Sequence, residues 1–430
     1  MTQTLEERIQ QRTARFGVVG LGYVGLPLAV EFASAGFAVT GIDLKPEKVA
    51  AINAGESYVG DVPTAALRPL VEAGRLRATT DFAAIADCDT VNICVPTPLR
   101  KTRDPDMSYI VNACQEIARR LHPDMLIILE STTYPGTTDE LVLPMLEAGG
   151  WKVGQDFFLC FSPERVDPGN PQFQTRNIPK VVGGVTAECT RLGALLYQQA
   201  LERVVPVSST QVAEMVKLLE NTFRMINIGL VNEMALMCDR MGINVWEVIE
   251  AAATKPFGFM PFYPGPGLGG HCIPVDPFYL SWKTKQAGIE ARFIELAGYI
   301  NGQMPHFVVD KVMRALNEQS RAVKGSRVHV LGVAYKRNID DVRESPALDI
   351  LHLLGQLGAA VSYEDPYVAE VELAGRTYRS RPEARQEAHC VVIVTDHTAF
   401  DYRRIVEEAP LVVDTRNACK GIVSEKIVRL

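Results

Sequence analysis

The stretch Arg15-Phe16-Gly17-Val18-Val19-Gly20-Leu21-Gly22-Tyr23-Val24-Gly25 decides the fold of the amino-terminal half. Its apolar beginning predicts a buried strand, its glycines follow the spacing Gly-x-Gly-x-x-Gly, and the apolar residues 26–35 predict a helix. Between a strand and a helix, such glycines allow a tight turn, close approach of a pyrophosphate, and close helix packing. The sequence therefore predicts a Rossmann-like dinucleotide-binding domain. The cofactor-binding residues predicted in this turn are Gly20, Gly22, Tyr23, Val24 and Gly25.

A carboxylate stands where such domains bind the ribose of the cofactor. The apolar residues 38–42 predict a second strand, and Asp43 follows it, about 20 residues after the glycine turn. Its side chain can accept hydrogen bonds from the ribose hydroxyls and would repel a 2′-phosphate, which favours NAD over NADP. The cations Lys45 and Lys48 leave NADP open as the alternative. We expect NAD, with Asp43 and Lys48 at its binding site.

Polar residues follow three further apolar runs that predict strands: Thr97, then Ser131 and Thr132, then Glu164. Ligands of doubly wound sheets bind beyond the carboxyl ends of the strands. We therefore expect these four residues near the cofactor or the substrate, with Thr97 and Ser131 at the cofactor. Hydroxyl residues also serve as ordinary turn residues, and for the serine and the threonines this alternative stays open.

A long helix is predicted from residue 212 to about residue 240. The segment contains no proline, its apolar residues recur at helical spacing, and Gly242 supplies a stop signal. Ser208, with Gln211 three residues later, predicts a capping box at its start. At 1.5 Å per residue the helix would be roughly 40 Å long. Its apolar residues cover more than one face, so we expect a spine between two domains that also forms a homodimer.

Two polar residues interrupt this apolar helix. Lys217 and Asn221 are four residues apart and therefore share one face. The pair could carry chemistry, or its polar ends could reach solvent past the core. The two residues alone leave both interpretations open.

Residues 264–277 predict a loop that presents a thiol. The many prolines and glycines of this segment exclude a regular helix and a central strand. Cys272 lies near its middle, and Asp276 follows four positions later. A cysteine on a tight loop suits nucleophilic chemistry. The alternative is a small loop residue without a chemical role.

A second α/β region begins at Arg327. Its predicted strands, and the acidic Glu364-Asp365 after the second of them, repeat the order of the amino-terminal half, but only Gly332 remains of the fingerprint glycines. We therefore predict a second domain that binds a different phosphorylated ligand. Lys336 and Arg343 offer positive charge for it, although both could be ordinary surface cations. The predicted fold is α/β, with two Rossmann-like doubly wound domains joined by a long central helix, and the predicted domains are residues 1–207, 208–322 and 323–430.

The composition is that of a soluble globular protein. The 430 residues include 47% hydrophobic and 22% charged residues, and the net charge is −7. Without a large basic block, neither nucleic-acid nor membrane binding is expected. Nine cysteines are scattered singly, which predicts reduced thiols rather than a disulfide framework or a metal site. The polar amino terminus lacks the apolar core of a secretory signal, so we expect a cytoplasmic location.

Six motifs, in one order, resemble the UDP-glucose/GDP-mannose dehydrogenase family over essentially the whole chain. They are Gly20-Leu21-Gly22-Tyr23-Val24-Gly25-Leu26-Pro27, Glu130-Ser131-Thr132, Ser162-Pro163-Glu164-Arg165, Glu214-Met215-Val216-Lys217-Leu218-Leu219-Glu220-Asn221, Gly269-Gly270-His271-Cys272-Ile273-Pro274-Val275-Asp276-Pro277, and Tyr335-Lys336 with Asp341-Val342-Arg343-Glu344-Ser345. The resemblance implies an NAD-binding domain, a central helix that forms the dimer, and a UDP-binding domain. It also implies oxidation of a nucleotide sugar at C6 from alcohol to carboxylate, with two NAD reduced.

The resemblance assigns catalytic roles. Cys272 would add to the sugar aldehyde, because the second hydride transfer requires a tetrahedral carbon that still carries hydrogen. Glu164 would be the base for the water that cleaves the resulting thioester. Lys217 with Asn221 would stabilise oxyanions and assist proton transfer, and Asp276 would orient Lys217 or a water.

The resemblance also implies the remaining binding residues. Thr132 would hold the reacting oxygens, and Arg343 would contact the phosphates of NAD. The implied substrate-binding residues are Glu164, Arg165, Lys217, Asn221, Phe262, Tyr263, Gly269, Lys336 and Arg416.

The resemblance extends to the class of substrate. In UDP-glucose dehydrogenases the segment after Glu164 continues to a second glutamate, where this chain has Pro168. This segment and residues 255–267 look like the branch that acts on UDP-N-acetylhexosamines, and the aromatic Phe259, Phe262 and Tyr263 suit an N-acetyl methyl group. The expected substrate is UDP-N-acetylglucosamine, for surface-polysaccharide precursors. UDP-N-acetylmannosamine and UDP-glucose are the alternatives.

Two other functional classes share parts of this pattern. A single-step hydroxyacid or polyol dehydrogenase would combine a dinucleotide domain, a helical spine and a reactive lysine, but it would not need Cys272 or the second α/β domain. A non-catalytic NAD sensor could use the same fold, since fold does not fix function. That interpretation leaves Glu164, Lys217, Cys272 and Asp276 without a task.

Overall fold

The computed structural model describes residues 3–98, 104–167, 169–170, 172–270 and 272–430. Two positions quoted above, Pro168 and His271, lie outside the described residues. The chain divides into two compact units, residues 1–220 with 282–287, and residues 221–281 with 288–430. The domain boundaries after residues 207 and 322 stay predictions.

The first unit contains a sheet of eight strands. They are β1 (Arg15–Val19), β2 (Ala38–Ile42), β3 (Leu76–Thr79), β4 (Thr90–Ile93), β5 (Met125–Leu129), β6 (Phe157–Phe161), β7 (Lys180–Gly184) and β8 (Val204–Pro206). Their spatial order is β3-β2-β1-β4-β5-β6-β7-β8. Neighbouring strands are parallel except for β6 and β7, which are antiparallel. β7 therefore begins at the edge of the sheet where β1, β4, β5 and β6 end.

Helices cover both faces of this sheet. Phe16 and Val18 belong to one hydrophobic cluster, whereas Val19 belongs to another. Successive strand residues point to opposite faces, so two clusters mean two buried faces, as in a doubly wound domain. The helices are α1 (Leu5–Gln10), α2 (Gly25–Ser34), α3 (Pro46–Asn53), α4 (Thr64–Glu72), α5 (Ser108–Ala118), α6 (Leu143–Glu147) and α7 (Ala187–Gln198).

The long central helix is confirmed as α8 (Thr210–Met241), which has 32 residues. The predicted capping box at Ser208 is wrong, because the hydroxyl of Ser209 accepts the hydrogen bond from the backbone N–H of Val212. The predicted stop is found at Gly242, whose φ of +69° favours glycine. The first unit includes α8 as far as Glu220, and the second unit begins at Asn221.

The second unit contains a parallel sheet of five strands with the order β10-β9-β13-β14-β15. These strands are β9 (Arg327–Leu331), β10 (Ala360–Glu364), β13 (Cys390–Ile393), β14 (Val412–Asp414) and β15 (Ile427–Arg429), and β11 (Glu370–Leu373) with β12 (Arg376–Arg379) forms a separate hairpin. The helices after α8 are α9 (Val245–Ala253), α10 (Asp276–Gln286), α11 (Arg292–Glu318), α12 (Pro346–Gln356) and α13 (Tyr402–Glu408). The predicted α/β fold with two Rossmann-like domains and a long central helix is confirmed. Among the described residues, no helix combines the length and apolarity needed to cross a bilayer.

The first turn of each sheet has the same construction. Gly20 follows β1 with φ +94°, and Gly332 follows β9 with φ +80°. The next backbone N–H donates to the acid after the second strand: Leu21 to Asp43 at 2.9 Å, and Val333 to Asp365 at 2.8 Å. The acid thus holds the turn closed in both sheets.

Candidate active site

The glycine turn after β1 is closely packed at Gly20 and Gly25 and open at Gly22. A Cβ on Gly20 would lie 2.5 Å from the carbonyl oxygen of Cys94, and a Cβ on Gly25 would collide with the carbonyl of Gly20. A Cβ on Gly22 would meet nothing within 4 Å. Gly20 and Gly25 are therefore required for packing, whereas Gly22 faces the open side from which a pyrophosphate can approach.

Asp43 is surrounded by groups that position it. Its carboxylate accepts hydrogen bonds from the backbone N–H of Leu21 and of Lys45, at 2.9 and 3.0 Å. The ammonium of Lys48 lies 3.4 Å from the same carboxylate. Tyr58, which the sequence analysis missed, donates its hydroxyl to the carbonyl of Leu21 at 2.6 Å. The structure thus brings Asp43 and Lys48 together beside the glycine turn.

The other predicted cofactor residues lie beyond the ends of the strands. Thr97 and Ser131 are buried, and the hydroxyl of Ser131 donates to the carbonyl of Val95 at 2.8 Å. Thr132 is half-buried, and Tyr23 is exposed. The hydroxyl hydrogen of Ser131 is therefore engaged within the protein, and its oxygen can still accept a hydrogen bond.

A buried ionic cluster lies at the edge where β5 and β6 end and β7 begins. Lys180 donates to the carboxylate of Glu130 at 2.6 Å and to that of Glu164 at 3.1 Å. Glu130 also accepts the hydroxyl of Tyr197 at 2.6 Å and the amide of Asn92 at 2.5 Å. Of these five residues the sequence analysis gave a role only to Glu164. No local pattern in the sequence marks Lys180, because this residue reaches the ionic cluster only through the pairing of β7 with β6.

Lys217 and Arg165 reach the same edge. The ammonium of Lys217, on α8, donates to the main-chain carbonyl of Glu164 at 2.6 Å. The guanidinium of Arg165 donates hydrogen bonds to the carboxylate of Glu220, at 2.6 and 3.2 Å, and to the carbonyl of Pro179, at 2.6 Å. Lys217 and Glu164 are therefore in direct contact. The side chain of Arg165, predicted above to bind the substrate, pairs with Glu220 instead.

The carboxylate of Glu214, on α8, is buried and held by neutral donors. Glu214 accepts the backbone N–H of Gly136 at 2.6 Å, and the N–H and hydroxyl of Thr138 at 2.9 and 2.7 Å. Burial raises the pKa of Glu214 to about 7, although these hydrogen bonds act in the opposite direction. Glu214 therefore ties the loop that carries Thr132 to the helix that carries Lys217.

In the second unit, the cysteine loop leads directly into a helix. The carbonyl of Cys272 accepts the backbone N–H of Asp276, the first residue of α10, at 2.8 Å. The carboxylate of Asp276, fully buried, accepts the amide of Asn221 at 2.6 Å, and Cys272 is exposed. An accessible thiol thus lies one helical turn before a buried amide–carboxylate pair.

Glycines let the cysteine loop approach a second loop, residues 335–345. A Cβ on Gly269 would lie 2.5 Å from the Cβ of Tyr335, and a Cβ on Gly270 would lie 2.9 Å from its ring. The N–H of Gly270 donates to the carbonyl of Arg343 at 2.9 Å. Two of the motifs quoted above, which carry Cys272 and Lys336, are therefore packed together.

A cleft of about 260 Å³ in the second unit contains two of the predicted substrate residues, Tyr263 and Arg416. The ring of Tyr263 stacks on Trp246, with centroids 6.2 Å apart. Arg416 donates to the carbonyl of Val394 at 2.9 Å. Phe262 does not line this cleft and packs against Phe223 instead. The cleft offers an aromatic face and a guanidinium, which suit a nucleobase and an anionic group.

Three family models match the chain in succession. They are the NAD binding domain, the central domain and the UDP binding domain of the UDP-glucose/GDP-mannose dehydrogenase family, at residues 14–201, 211–303 and 329–421. The chain is 38% identical over 357 residues to UDP-N-acetyl-D-glucosamine 6-dehydrogenase of Pseudomonas aeruginosa, covering 83% of each protein. It is 36% identical over 387 residues to UDP-N-acetyl-D-mannosamine dehydrogenase of Pyrococcus horikoshii, covering 90% of each.

A solved structure has the same fold. The structure described as UDP-D-ManNAc dehydrogenase from Pyrococcus horikoshii superimposes with a TM-score of 0.88 at 34% identity. The match covers 96% of this chain and 98% of that chain.

Proposed function

We propose that this chain, which belongs to the UDP-glucose/GDP-mannose dehydrogenase family, oxidises C6 of a UDP-N-acetylhexosamine from alcohol to carboxylate. The NAD-binding family domain at residues 14–201 identifies the chain as an NAD-dependent oxidoreductase. The observation that carries the four-electron reaction is the exposed thiol of Cys272, one turn before the buried Asp276–Asn221 pair. A single-step dehydrogenase would need neither this thiol nor this amide–carboxylate pair.

The residues of the glycine turn fit NAD. Gly22 leaves the open side for the pyrophosphate, and Asp43 stands beside the turn for the ribose. When bound, NAD supplies the hydride acceptor for both oxidations. In balance, one alcohol, one water and two NAD⁺ give one carboxylate, two NADH and three protons.

Cys272 makes the second oxidation possible. Its thiolate sulfur bonds to the aldehyde carbon, which then carries sulfur, oxygen and hydrogen. Loss of hydride from that carbon leaves a thioester. Water then bonds to the carbonyl carbon, the carbon–sulfur bond breaks, and the electron pair returns to Cys272.

The polar residues of α8 and of the strand ends stabilise oxyanions and transfer protons. Lys217 and Asn221 stabilise the oxyanions, and their own contacts with Glu164 and Asp276 fix their side chains. Glu164 takes a proton from the attacking water. Thr132 holds the reacting oxygen.

The substrate is proposed to be UDP-N-acetylglucosamine. The relative from Pseudomonas aeruginosa carries that substrate in its name, and so does one from Salmonella typhi at 34% identity over 391 residues. Phe259 and Tyr263 are exposed aromatic side chains that an N-acetyl methyl group can cover. UDP-N-acetylmannosamine is the second candidate, supported by the relative from Pyrococcus horikoshii at 36% identity.

A homodimer through α8 is also proposed. Exposed apolar side chains recur along this helix at intervals of three, four or seven residues, and they are Val212, Met215, Leu219, Phe223, Leu230, Met237 and Met241. A continuous apolar stripe of this length marks a protein contact. In a two-fold dimer, the stripe of one subunit would pack against the same stripe of its partner.

The expected location is the cytoplasm, because the scattered cysteines indicate reduced thiols.

The defining experiment measures NADH and sugar acid together. Purified enzyme receives UDP-N-acetylglucosamine and excess NAD, and the products are counted by absorbance and mass spectrometry. We expect two NADH for each uronic acid. One NADH per sugar, with aldehyde released as the end product, would contradict the thioester route.

A further inference from the structure

We propose that Lys180 is a positioning residue for thioester hydrolysis: it fixes the carboxylate of Glu164 and reserves one lone pair of that carboxylate for the attacking water. This inference rests on the proposed function, in which Glu164 is the base. It adds a residue from β7, a strand that carries none of the six motifs.

The antiparallel pairing of β7 explains how Lys180 reaches Glu164. Cys160 pairs with Gly184, and Phe161 pairs with Gly183. The same register continued beyond β6 places Glu164 opposite Lys180. A parallel β7 would have put its first residue at the other edge of the sheet.

The hydrogen bonds of Glu164 leave one acceptor position. Its Oε1 accepts the backbone N–H of Arg165 at 2.7 Å and of Val166 at 2.8 Å, which uses both lone pairs of that oxygen. Its Oε2 accepts Lys180 at 3.1 Å. Within the described part of the chain, one lone pair of Oε2 therefore remains for water, and Lys180 determines which one.

Lys180 is itself fixed from the other side. Glu130 holds it at 2.6 Å, and Tyr197 and Asn92 hold the other oxygen of Glu130. Lys180 is 4% exposed and Glu130 is 1% exposed, so this geometry is sheltered from water. A buried ion pair whose partners are hydrogen-bonded keeps its orientation.

The charged and titratable groups around Glu164 come from five elements. Lys180 begins β7, Glu130 follows β5, Lys217 lies on α8, Tyr197 lies on α7 and Cys94 follows β4. Arg165, next in the chain, is paired with Glu220. The ammonium groups of Lys180 and Lys217 balance the carboxylates of Glu130 and Glu164. Loss of one cation would leave an uncompensated negative charge in the cluster.

The cluster keeps the base ionised. Burial by itself would raise the pKa of Glu164, but the charge of Lys180 and the hydrogen bond from the N–H of Arg165 hold it below its ordinary value. Removing Lys180 must therefore raise this pKa. Removing the negative charge of Glu130 must lower it, because a like charge disappears and Lys180 remains.

The test follows hydrolysis of the thioester on Cys272 as a function of pH. Enzyme, UDP-N-acetylglucosamine and NAD are mixed for a single turnover and quenched, and the adduct is measured by intact mass. Three variants are compared with the wild type: Lys180→Gln, Glu130→Gln and Lys311→Gln. Lys311 is the matched control, because it is also a buried lysine in an ion pair, 2.7 Å from Asp239 in the second unit.

The expected shifts have opposite signs. In Lys180→Gln the pH of half-maximal hydrolysis should rise by about 1–3 units, the scale for losing an adjacent opposite charge, and the thioester should accumulate at mildly acidic pH, where the wild type still hydrolyses it. In Glu130→Gln it should fall. Lys311→Gln should lower the melting temperature without moving the profile.

The outcomes separate this inference from the proposed function. A folded Lys180→Gln with the wild-type profile would overturn the role of Lys180. If that variant does not fold, Glu130→Gln decides, and an unmoved or raised profile overturns the inference. A wild-type enzyme that never forms the thioester would overturn the proposed function and this inference with it.

Discussion

The ammonium of Lys217 lies 2.6 Å from the main-chain carbonyl oxygen of Glu164. This contact uses the backbone of Glu164, so its carboxylate stays free to interact with Lys180. One residue thus has two separate tasks: its carbonyl orients a cation on α8, and its side chain is the proposed base. A substitution of Glu164 would remove only the second task.

Cys272→Ala should abolish formation of the uronic acid. The variant should still bind UDP-N-acetylglucosamine and NAD, because the predicted phosphate and ribose contacts involve other residues. Activity is measured by mass spectrometry of the product, and binding by calorimetry. Formation of acid at the wild-type rate would exclude the thiol as nucleophile.

Asp43→Ala should weaken NAD binding by about 1–3 kcal/mol, the scale for leaving buried polar partners unpaired. The Michaelis constant for NAD measures this change. Asp365→Ala, the matched position in the second sheet, should lower the melting temperature and leave that constant unchanged. An unchanged Michaelis constant in Asp43→Ala would contradict the ribose assignment.

Stability should depend on pH through Glu214. Its pKa is raised from 4.5 to about 7 by burial, so between these values the folded state keeps a proton that the unfolded state releases. The free energy of unfolding should therefore fall as pH rises through this window, by at most about 3 kcal/mol. Glu214→Gln should flatten this dependence.

Denaturant unfolding from about pH 5 to about pH 8 measures the effect of Glu214. Glu140→Gln is the control, because Glu140 is more than half exposed and pairs with Lys283 near the surface. Equal slopes in the wild type and in Glu214→Gln would show that Glu214 does not titrate in this range.

Leu230→Glu should give a monomer. Leu230 is 54% exposed in the apolar stripe of α8, where a buried charge would oppose association. Sedimentation at micromolar concentration should find a dimer for the wild type and for Leu357→Glu, whose leucine is exposed outside α8. A monomeric wild type would contradict the homodimer.

UDP-N-acetylglucosamine should be oxidised with kcat/KM at least about tenfold above that of UDP-glucose, a difference of about 1.4 kcal/mol. Phe259→Ala should narrow this difference, because the methyl group loses its apolar surface. UDP-N-acetylmannosamine and UDP-N-acetylgalactosamine are measured alongside. Equal or better turnover of UDP-glucose would contradict the preference for N-acetylated sugars, and preference for another epimer would change the sugar assigned.

The sequence predicted those elements whose pattern is local. The apolar run of β1 and the proline-free residues of α8 carry their own periodicity, so their existence and type were predicted well. β7 was missed, because Lys180-Val181-Val182-Gly183-Gly184 combines two glycines with a charged first residue. The cap of α8 was misplaced by one residue, since Ser208 and Ser209 offer the same chemistry.

The candidate site was predictable as far as motifs mark it. Lys217, Glu164 and Asp276 belong to quoted motifs, but Lys180 and Tyr197 enter only through strand and helix packing. Such contacts join residues far apart in the chain, and no local pattern encodes them.

The aspartates that close the two glycine turns differ in how many hydrogen bonds they already accept. Asp365 accepts five donors: the backbone N–H groups of Val333, Ala334, Tyr367 and Val368, and the ring of His397, whose other nitrogen already accepts a hydrogen bond from Asn338. Two carboxylate oxygens offer about four lone pairs, so this copy is saturated. Asp43 accepts three donors and keeps an acceptor for a hydroxyl. Of these two turns, the one at Asp43 therefore keeps an acceptor for a ribose hydroxyl, whereas the one at Asp365 uses its acceptors to rigidify its own loop, and the second domain must recognise its ligand through other residues.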